Sequence, residues 1–169
     1  MNRPSKVSMS NSPKAISGFT LVELMVTIVV LAIIVAIAVP NMSQALANQR
    51  VKSTSATIAS ALNEAKAESR IRKRDMTVEY IEYNSTDRKI VVSEGTGSNK
   101  TQISEYQINS NSAVTIIPAT GTTLIISSIQ RANDNVTYQI CDNGVTSESP
   151  YQVTISVGAD ITQKQAGSC

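Results

Sequence analysis

The sequence has 169 residues, a net charge of +2 and 41% apolar residues. It contains no His, which removes the commonest general base and the commonest transition-metal ligand. The basic excess lies in the first 18 residues, because 12 basic and 12 acidic residues follow position 40. The rest of the chain is therefore close to neutral and gives no general electrostatic case for nucleic-acid binding.

The first 17 residues, MNRPSKVSMSNSPKAIS, are polar and basic and show no helical period. In a secretory signal, the small residue of the cleavage site follows the apolar stretch. Here the small residue, Gly18, precedes it. Cleavage after Gly18 would therefore leave the apolar stretch on the mature protein as an anchor.

The apolar stretch covers positions 19–39, where only Thr20, Glu23 and Thr27 are neither apolar nor small. A helix of this length reaches about 30 Å, which is the thickness of a bilayer core. The basic residues before it are expected to stay cytoplasmic, so the remainder of the chain would face the periplasm or the outside. Because an acid in lipid is costly, we expect Glu23 to have a partner.

The run Gly18-Phe19-Thr20-Leu21-Val22-Glu23-Leu24, with the apolar stretch behind it, resembles the N-terminal signature of type IV pilins and type II secretion pseudopilins. The resemblance implies that a prepilin peptidase cleaves between Gly18 and Phe19 and methylates the new amino terminus of Phe19. It also implies that the Glu23 carboxylate meets the N-terminal amine of a neighbouring subunit. The alternative is an ordinary signal anchor that contains these residues by chance.

Pro40 follows the apolar stretch and lacks the N–H of an intrahelical bond, so we expect it to kink or locally melt the helix. Pilin helices often carry a proline here, so the resemblance favours the same expectation. From 41 to about 73 there is no Gly or Pro, and the pattern predicts an amphipathic helix that packs on a sheet. Its predicted packing stripe is Met42, Ala45, Leu46, Gln49, Ile58, Ala61, Leu62 and Ala65.

A basic cluster of Arg70, Arg72, Lys73 and Arg74 ends this helix. Cations at this place complement the C-terminal end of the helix dipole. The functional alternative is an anion-binding patch for nucleic acid or lipid head groups. We favour the first interpretation, because several acids lie close by in the sequence: Glu64, Glu68, Asp75 and Glu79.

After Asp75 the pattern changes to β-branched residues with a period of two, separated by turn signals. It predicts strands at 77–83, 89–93, 102–108, 113–117, 122–129, 136–141 and 151–157, with a short last one at 160–163. Short strands after one long helix predict an α+β domain with an antiparallel sheet. The predicted organisation is a leader at 1–18, a transmembrane and filament-core helix at 19–40, its amphipathic half at 41–74 and a β-rich domain at 75–169.

The two cysteines are Cys141 and Cys169. Beyond a membrane-crossing segment such a pair is expected to form a disulfide, whereas two free thiols would indicate a cytosolic domain. A strand that ends in Cys141, a further β-branched strand, Gly158 and a last Cys together resemble the GspH/FimT group of minor pilins and pseudopilins. Some FimT-like members bind DNA through a Gly-Arg-x-Arg motif near this glycine. The matching residues here are Gly158-Ala159-Asp160-Ile161, so both arginines are absent.

The sequence shows no catalytic constellation and no metal-ligand spacing, so we predict neither enzymatic activity nor a metal or cofactor. The favoured function is that of a minor pilin that helps to initiate or cap a pilus. Its expected partners are a prepilin peptidase, other major and minor pilins and the bacterial inner membrane. The alternatives are a minor pseudopilin of a type II secretion system and a DNA-binding minor pilin for natural transformation.

Overall fold

The computed structural model describes residues 18–84, 87–108, 114–118, 121–144 and 149–165. Within these ranges a helix, α1 (Leu21–Arg72), precedes a series of strands. The strands are β1 (Met76–Glu82), β2 (Arg88–Glu94), β3 (Thr101–Gln107), β4 (Val114–Ile117), β5 (Thr123–Ile126), β6 (Val136–Asp142), β7 (Tyr151–Ile155) and β8 (Ile161–Gln165). This order confirms the predicted α+β fold.

The chain divides into two compact units, Met1–Val39 and Pro40–Cys169, and we call the second unit the head domain. The helix assignment is continuous from Leu21 to Arg72, while the kink at Pro40 stays a prediction. The helix ends where Lys73 adopts a left-handed backbone conformation with φ of 55°. This conformation terminates helices, although glycine is the usual residue there.

The strands form two four-stranded sheets, with the orders β3-β2-β1-β5 and β4-β6-β7-β8, and all neighbours are antiparallel. An isolated β-bridge joins Ile126, the last residue of β5, to Ala132. The Ala132 amide in turn donates to the Val157 carbonyl 3.0 Å away. The first sheet is thus joined to the end of β7 in the second. The predicted strand 122–129 is too long, because a hydrogen-bonded turn begins at Ser127.

The inner faces of both sheets share one apolar core with α1. Along β1, β2, β4, β5, β6 and β7 the residues of this core alternate, as period-two patterning predicts, whereas β3 and β8 contribute only partly buried residues. The largest fully buried side chains include Tyr80, Tyr138, Ile58, Leu62 and Met76. All the core residues in the described part of the chain lie at or after Ala47, so the head domain contains its own core.

The predicted packing stripe of α1 is right in its second half and wrong in its first. Ile58 and Leu62 are buried, whereas Met42 and Leu46 are 67% and 53% exposed. Val51 supplies the buried position instead. At 100° per residue, Met42 and Leu46 lie about 180° and about 140° around the helix from Val51, so they cannot face the same sheet.

Polar contacts of Arg50, Glu64 and Lys66 help to fix α1 against the two sheets and the loop between β7 and β8. Arg50 Nη1 donates to Asp142 Oδ2 at 2.7 Å, where the Asp142 side chain is fully buried. Glu64 Oε2 accepts from Tyr106 Oη at 2.5 Å and from Ser104 Oγ at 2.7 Å. Lys66 Nζ donates to the Ala159 carbonyl at 2.6 Å. The partners are 40 to 93 residues apart in sequence, so no local sequence pattern predicts these contacts.

Two tyrosines differ in how their hydroxyl groups are satisfied. The Tyr138 hydroxyl is buried and has no hydrogen-bond partner in the described part of the chain. Burial raises the pKa of Tyr138 to about 12. The hydrogen bond to Glu64 raises the pKa of Tyr106 to about 12 as well. Replacing tyrosine with phenylalanine should therefore have opposite effects on the stability of the head domain at the two positions.

We predict that Tyr138→Phe raises the free energy of unfolding of the head domain by about 1 kcal/mol, because it removes a buried hydroxyl that lacks a partner. The matched control Tyr106→Phe should lower it by about 1 kcal/mol, since it deletes a hydrogen bond to a carboxylate. Urea unfolding of the head domain at neutral pH measures both. A loss of stability in Tyr138→Phe would show that its hydroxyl has a partner.

Candidate functional site

The N-terminal motif is arranged as a capped helix start. Gly18, Phe19 and Thr20 precede α1 and are exposed. The Glu23 amide donates to Thr20 Oγ1 at 3.2 Å, and the Leu24 amide donates to the Thr20 carbonyl at 3.2 Å. Thr20 is therefore the N-cap of α1, and Glu23 occupies the third helical position of a Thr-x-x-Glu capping pattern. Our sequence analysis missed this role, although the spacing of Thr20 and Glu23 signals it.

Glu23 lies in the first turn of α1, where a negative charge is favourable to the helix dipole. The sequence has no Lys or Arg from Gly18 to Gln49. Glu23 accordingly forms no ion pair within the described residues.

Among residues 18–39, nothing covers the apolar half of α1. An 18-residue window of the helix has a mean hydropathy of 3.0, and none of that window is buried. Its large side chains are each at least half exposed, from Leu21 at 74% to Val39 at 56%. By length and composition this helix could cross a membrane.

The four residues of the predicted anion-binding cluster do not form one continuous patch of unpaired cations. Arg72 contacts Glu68 and Glu94, and Arg74 Nε lies 3.1 Å from Glu94 Oε1. The hydrogen bond that Arg72 donates to Glu68 raises the pKa of Arg72. Arg70 instead donates to the side-chain oxygen of Gln130, and Lys73 is exposed. Two of the four charges are thus compensated by the protein's own acids.

The loop between β7 and β8 holds the residues that correspond to the DNA-binding motif of FimT-like proteins. Ala159 is fully buried and left-handed, with φ of 54°. Its carbonyl accepts the bond from Lys66, and its amide donates to the Ser156 carbonyl at 2.8 Å. Asp160 is exposed. An arginine could not replace Ala159 without leaving this packed position, so the loop presents an acid and no arginine.

Cys141 is buried on β6, beside Asp142. Its predicted partner, Cys169, lies outside the described residues, and so do residues 1–17 of the predicted leader at 1–18. The disulfide and the leader cleavage therefore stay predictions. The described residues hold no group of His, Cys, Asp and Glu side chains that could bind a metal ion.

Residues 13–39 match the prokaryotic N-terminal methylation motif. The structure is similar to the type IV minor pilin FimU of Pseudomonas aeruginosa, with a TM-score of 0.58 and 15% identity over 69% of this chain and 89% of that one. It is also similar to EpsH, a minor pseudopilin from the type 2 secretion system of Vibrio cholerae. That match has a TM-score of 0.53 and 12% identity over 69% of this chain and 97% of the other. No curated protein sequence matches the chain.

Both of these structures are of pilin-like subunits and neither is an enzyme, which agrees with the predicted lack of enzymatic activity. The chain thus carries the prokaryotic N-terminal methylation motif and has the fold of type IV minor pilins and pseudopilins, as its sequence resemblance predicts.

Proposed function

We propose that this chain is a minor subunit of a type IV pilus that helps to initiate or cap filament assembly. One observation carries the proposal: the methylation motif opens an uncovered apolar helix in a chain whose head domain has the fold of a minor pilin. A subunit of this kind needs a membrane before assembly and neighbouring helices after it, because its apolar half is not covered by its own unit.

Cleavage between Gly18 and Phe19 would place a new amine four residues before Glu23. Methylation of that amine keeps its positive charge. In lipid a lone ammonium group and a lone carboxylate are each costly, and pairing between adjacent subunits offsets much of the cost. Glu23 would then favour the filament over the isolated subunit in the membrane.

The proposed location is the bacterial inner membrane, crossed once, with the head domain in the periplasm until the subunit enters a filament. The proposed partners are a prepilin peptidase and other major and minor pilins. The oxidising periplasm suits the predicted disulfide between Cys141 and Cys169. Such a bond would hold the end of the chain against β6.

A minor pseudopilin of a type II secretion system is the second candidate, favoured by the similarity to EpsH. Both candidates use the same motif, peptidase and membrane helix. They differ in the phenotype of a deletion strain, which would lose pili in one case and secretion of exported proteins in the other.

The DNA-binding alternative has less support. It requires exposed cations without competing acids, whereas Arg72 and Arg74 lie against Glu94. The loop at Gly158 presents Asp160 in place of the arginines. The four basic residues therefore suit the C-terminal end of the helix dipole better than they suit the binding of a polyanion.

We predict that co-expression with a prepilin peptidase removes residues 1–18 and that Gly18→Ala blocks the cleavage. A Cβ at Gly18 has no atom within 4 Å, so this substitution disturbs no contact and a block would report recognition by the peptidase. Intact-mass spectrometry measures the products, and the methyl group on Phe19 as well. Mature protein that keeps residues 1–18 would contradict the proposal.

We predict that Glu23→Ala leaves cleavage intact and strongly reduces the amount of the subunit in sheared pili. The reason is that the variant loses the carboxylate that compensates a neighbour's amine in lipid. Thr27→Ala is the matched control, because Thr27 only donates to the Leu24 carbonyl of its own helix at 2.7 Å. Immunoblots of the pilus and membrane fractions compare the variants. Normal incorporation of Glu23→Ala would remove Glu23 from its proposed role.

We predict that Glu94→Gln gives the head domain a salt-dependent affinity for duplex DNA several-fold above that of the unsubstituted domain, because it releases Arg74 and removes one of the two acids that contact Arg72. Glu105→Gln is the control, since Glu105 forms an ion pair with only one cation, Lys89, at 2.9 Å, whereas Glu94 contacts two arginines. Fluorescence anisotropy over a series of salt concentrations measures both variants. Tight binding by the unsubstituted domain would instead favour the DNA-binding alternative.

A further inference from the structure

The turn between β5 and β6, formed by residues 127–131, projects an isoleucine from the end of the head domain where α1 stops. Ile129 is 75% exposed. The Ser127 amide donates to the Arg131 carbonyl at 2.8 Å, and the Gln130 amide donates to the Ser127 carbonyl at 2.8 Å. Gln130 is left-handed, with φ of 62°. We call these five residues the tip turn.

The tip turn is also fixed from outside. The Ser128 amide donates to Asp75 Oδ1 at 3.1 Å, just beyond the end of α1. Gln130 Nε2 donates to the Lys66 carbonyl at 2.9 Å, and Arg70 donates to Oε1 of the same Gln130 side chain. Ile129 therefore stands on a backbone that is already ordered, so its burial by a partner would cost little conformational entropy.

The cations around the tip turn lack acid partners. Arg70, Lys73 and Arg131 are all exposed, and none of them forms an ion pair within the described residues. One acid, Asp75, is engaged by the Ser128 amide. The surface around Ile129 is consequently basic, whereas Arg72 and Arg74 on the same helix end are compensated by Glu68 and Glu94.

A second copy of the chain is a poor match for this surface. Most carboxylates of the described head domain are engaged within their own chain: Glu68, Glu79, Glu82, Glu94, Glu105 and Asp142 in ion pairs and Glu64 in hydrogen bonds. A nucleic acid would use the cations but would leave the isoleucine without an apolar pocket. A protein surface that combines both chemistries fits better.

We propose that the tip turn docks into an apolar pocket rimmed by carboxylates on a different pilin-like subunit. Ile129 would fill the pocket, while Arg70, Lys73 and Arg131 would face its acidic rim. This inference rests on the proposed function, because it assumes that the chain assembles with other pilin-like subunits. Buried apolar anchors dominate the affinity of such interfaces, and rim charges mainly set the association rate and the salt dependence.

The test in cells places a photo-crosslinking residue at position 129 of the full chain, with position 117 as the matched control. Ile117 is also an exposed isoleucine, at 54%, but lies on β4. We expect position 129 to crosslink to another subunit that carries the N-terminal methylation motif, and position 117 not to do so. Crosslinks from 129 to this chain alone, or equal yields at both positions, would overturn the proposal.

The test in solution uses the head domain, which contains its own core, and the head domains of the other pilin-like chains of the same organism. Binding to one of them should weaken at least about tenfold in Ile129→Ser and less than about twofold in Ile117→Ser. Arg131→Glu should slow association and flatten its salt dependence. Absence of binding, or unchanged binding by Ile129→Ser, would overturn the proposal, and so would competition by duplex DNA. Because residues 1–39 are not used, this result is independent of the Glu23 test of the proposed function.

Discussion

The apolar half of α1 is the constraint on which the rest of the protein depends, because the described residues of its own unit supply nothing to cover it. Its large side chains are each at least half exposed. At about 25 cal/mol per Å² of apolar surface, such a helix is strongly driven out of water. In the proposed function, lipid covers it before assembly and the helices of other subunits cover it afterwards. The need for a counter-charge to Glu23 follows from the same low-dielectric surroundings.

The head domain is organised so that it does not depend on that helix half. Its core begins at Ala47 and is closed by both sheets. The contacts Arg50–Asp142 and Lys66–Ala159 then fix α1 against the second sheet, and Glu64 fixes it against β3. Unpairing Asp142 would be costly, since its side chain is fully buried. A domain with its own core can stay folded whether the apolar half of α1 lies in a membrane or among other helices.

The sequence predicts the architecture well because its signals are local. Period-two patterning locates the strands, and the lack of Gly and Pro from 41 to 74 predicts the long helix. The packing stripe fails at Met42 and Leu46, because periodicity alone does not tell which of two apolar faces meets a sheet. Likewise β5 stops early at Ile126, where Ser127 and Arg131 close a turn. The partners of Arg50 and Glu64 arise from tertiary contacts between residues far apart in sequence.

Charge distribution shows why composition is a weak guide to what a surface can bind. The sequence places four cations at the end of α1, and their spacing suggests one patch. In the folded domain, Glu94 compensates Arg72 and Arg74, while the amide of Gln130 engages Arg70. Arg131, which is far away in sequence, lies in the same turn as Gln130. The basic surface that results is smaller than the predicted cluster and surrounds an isoleucine, a combination that suits a protein pocket better than a row of phosphates.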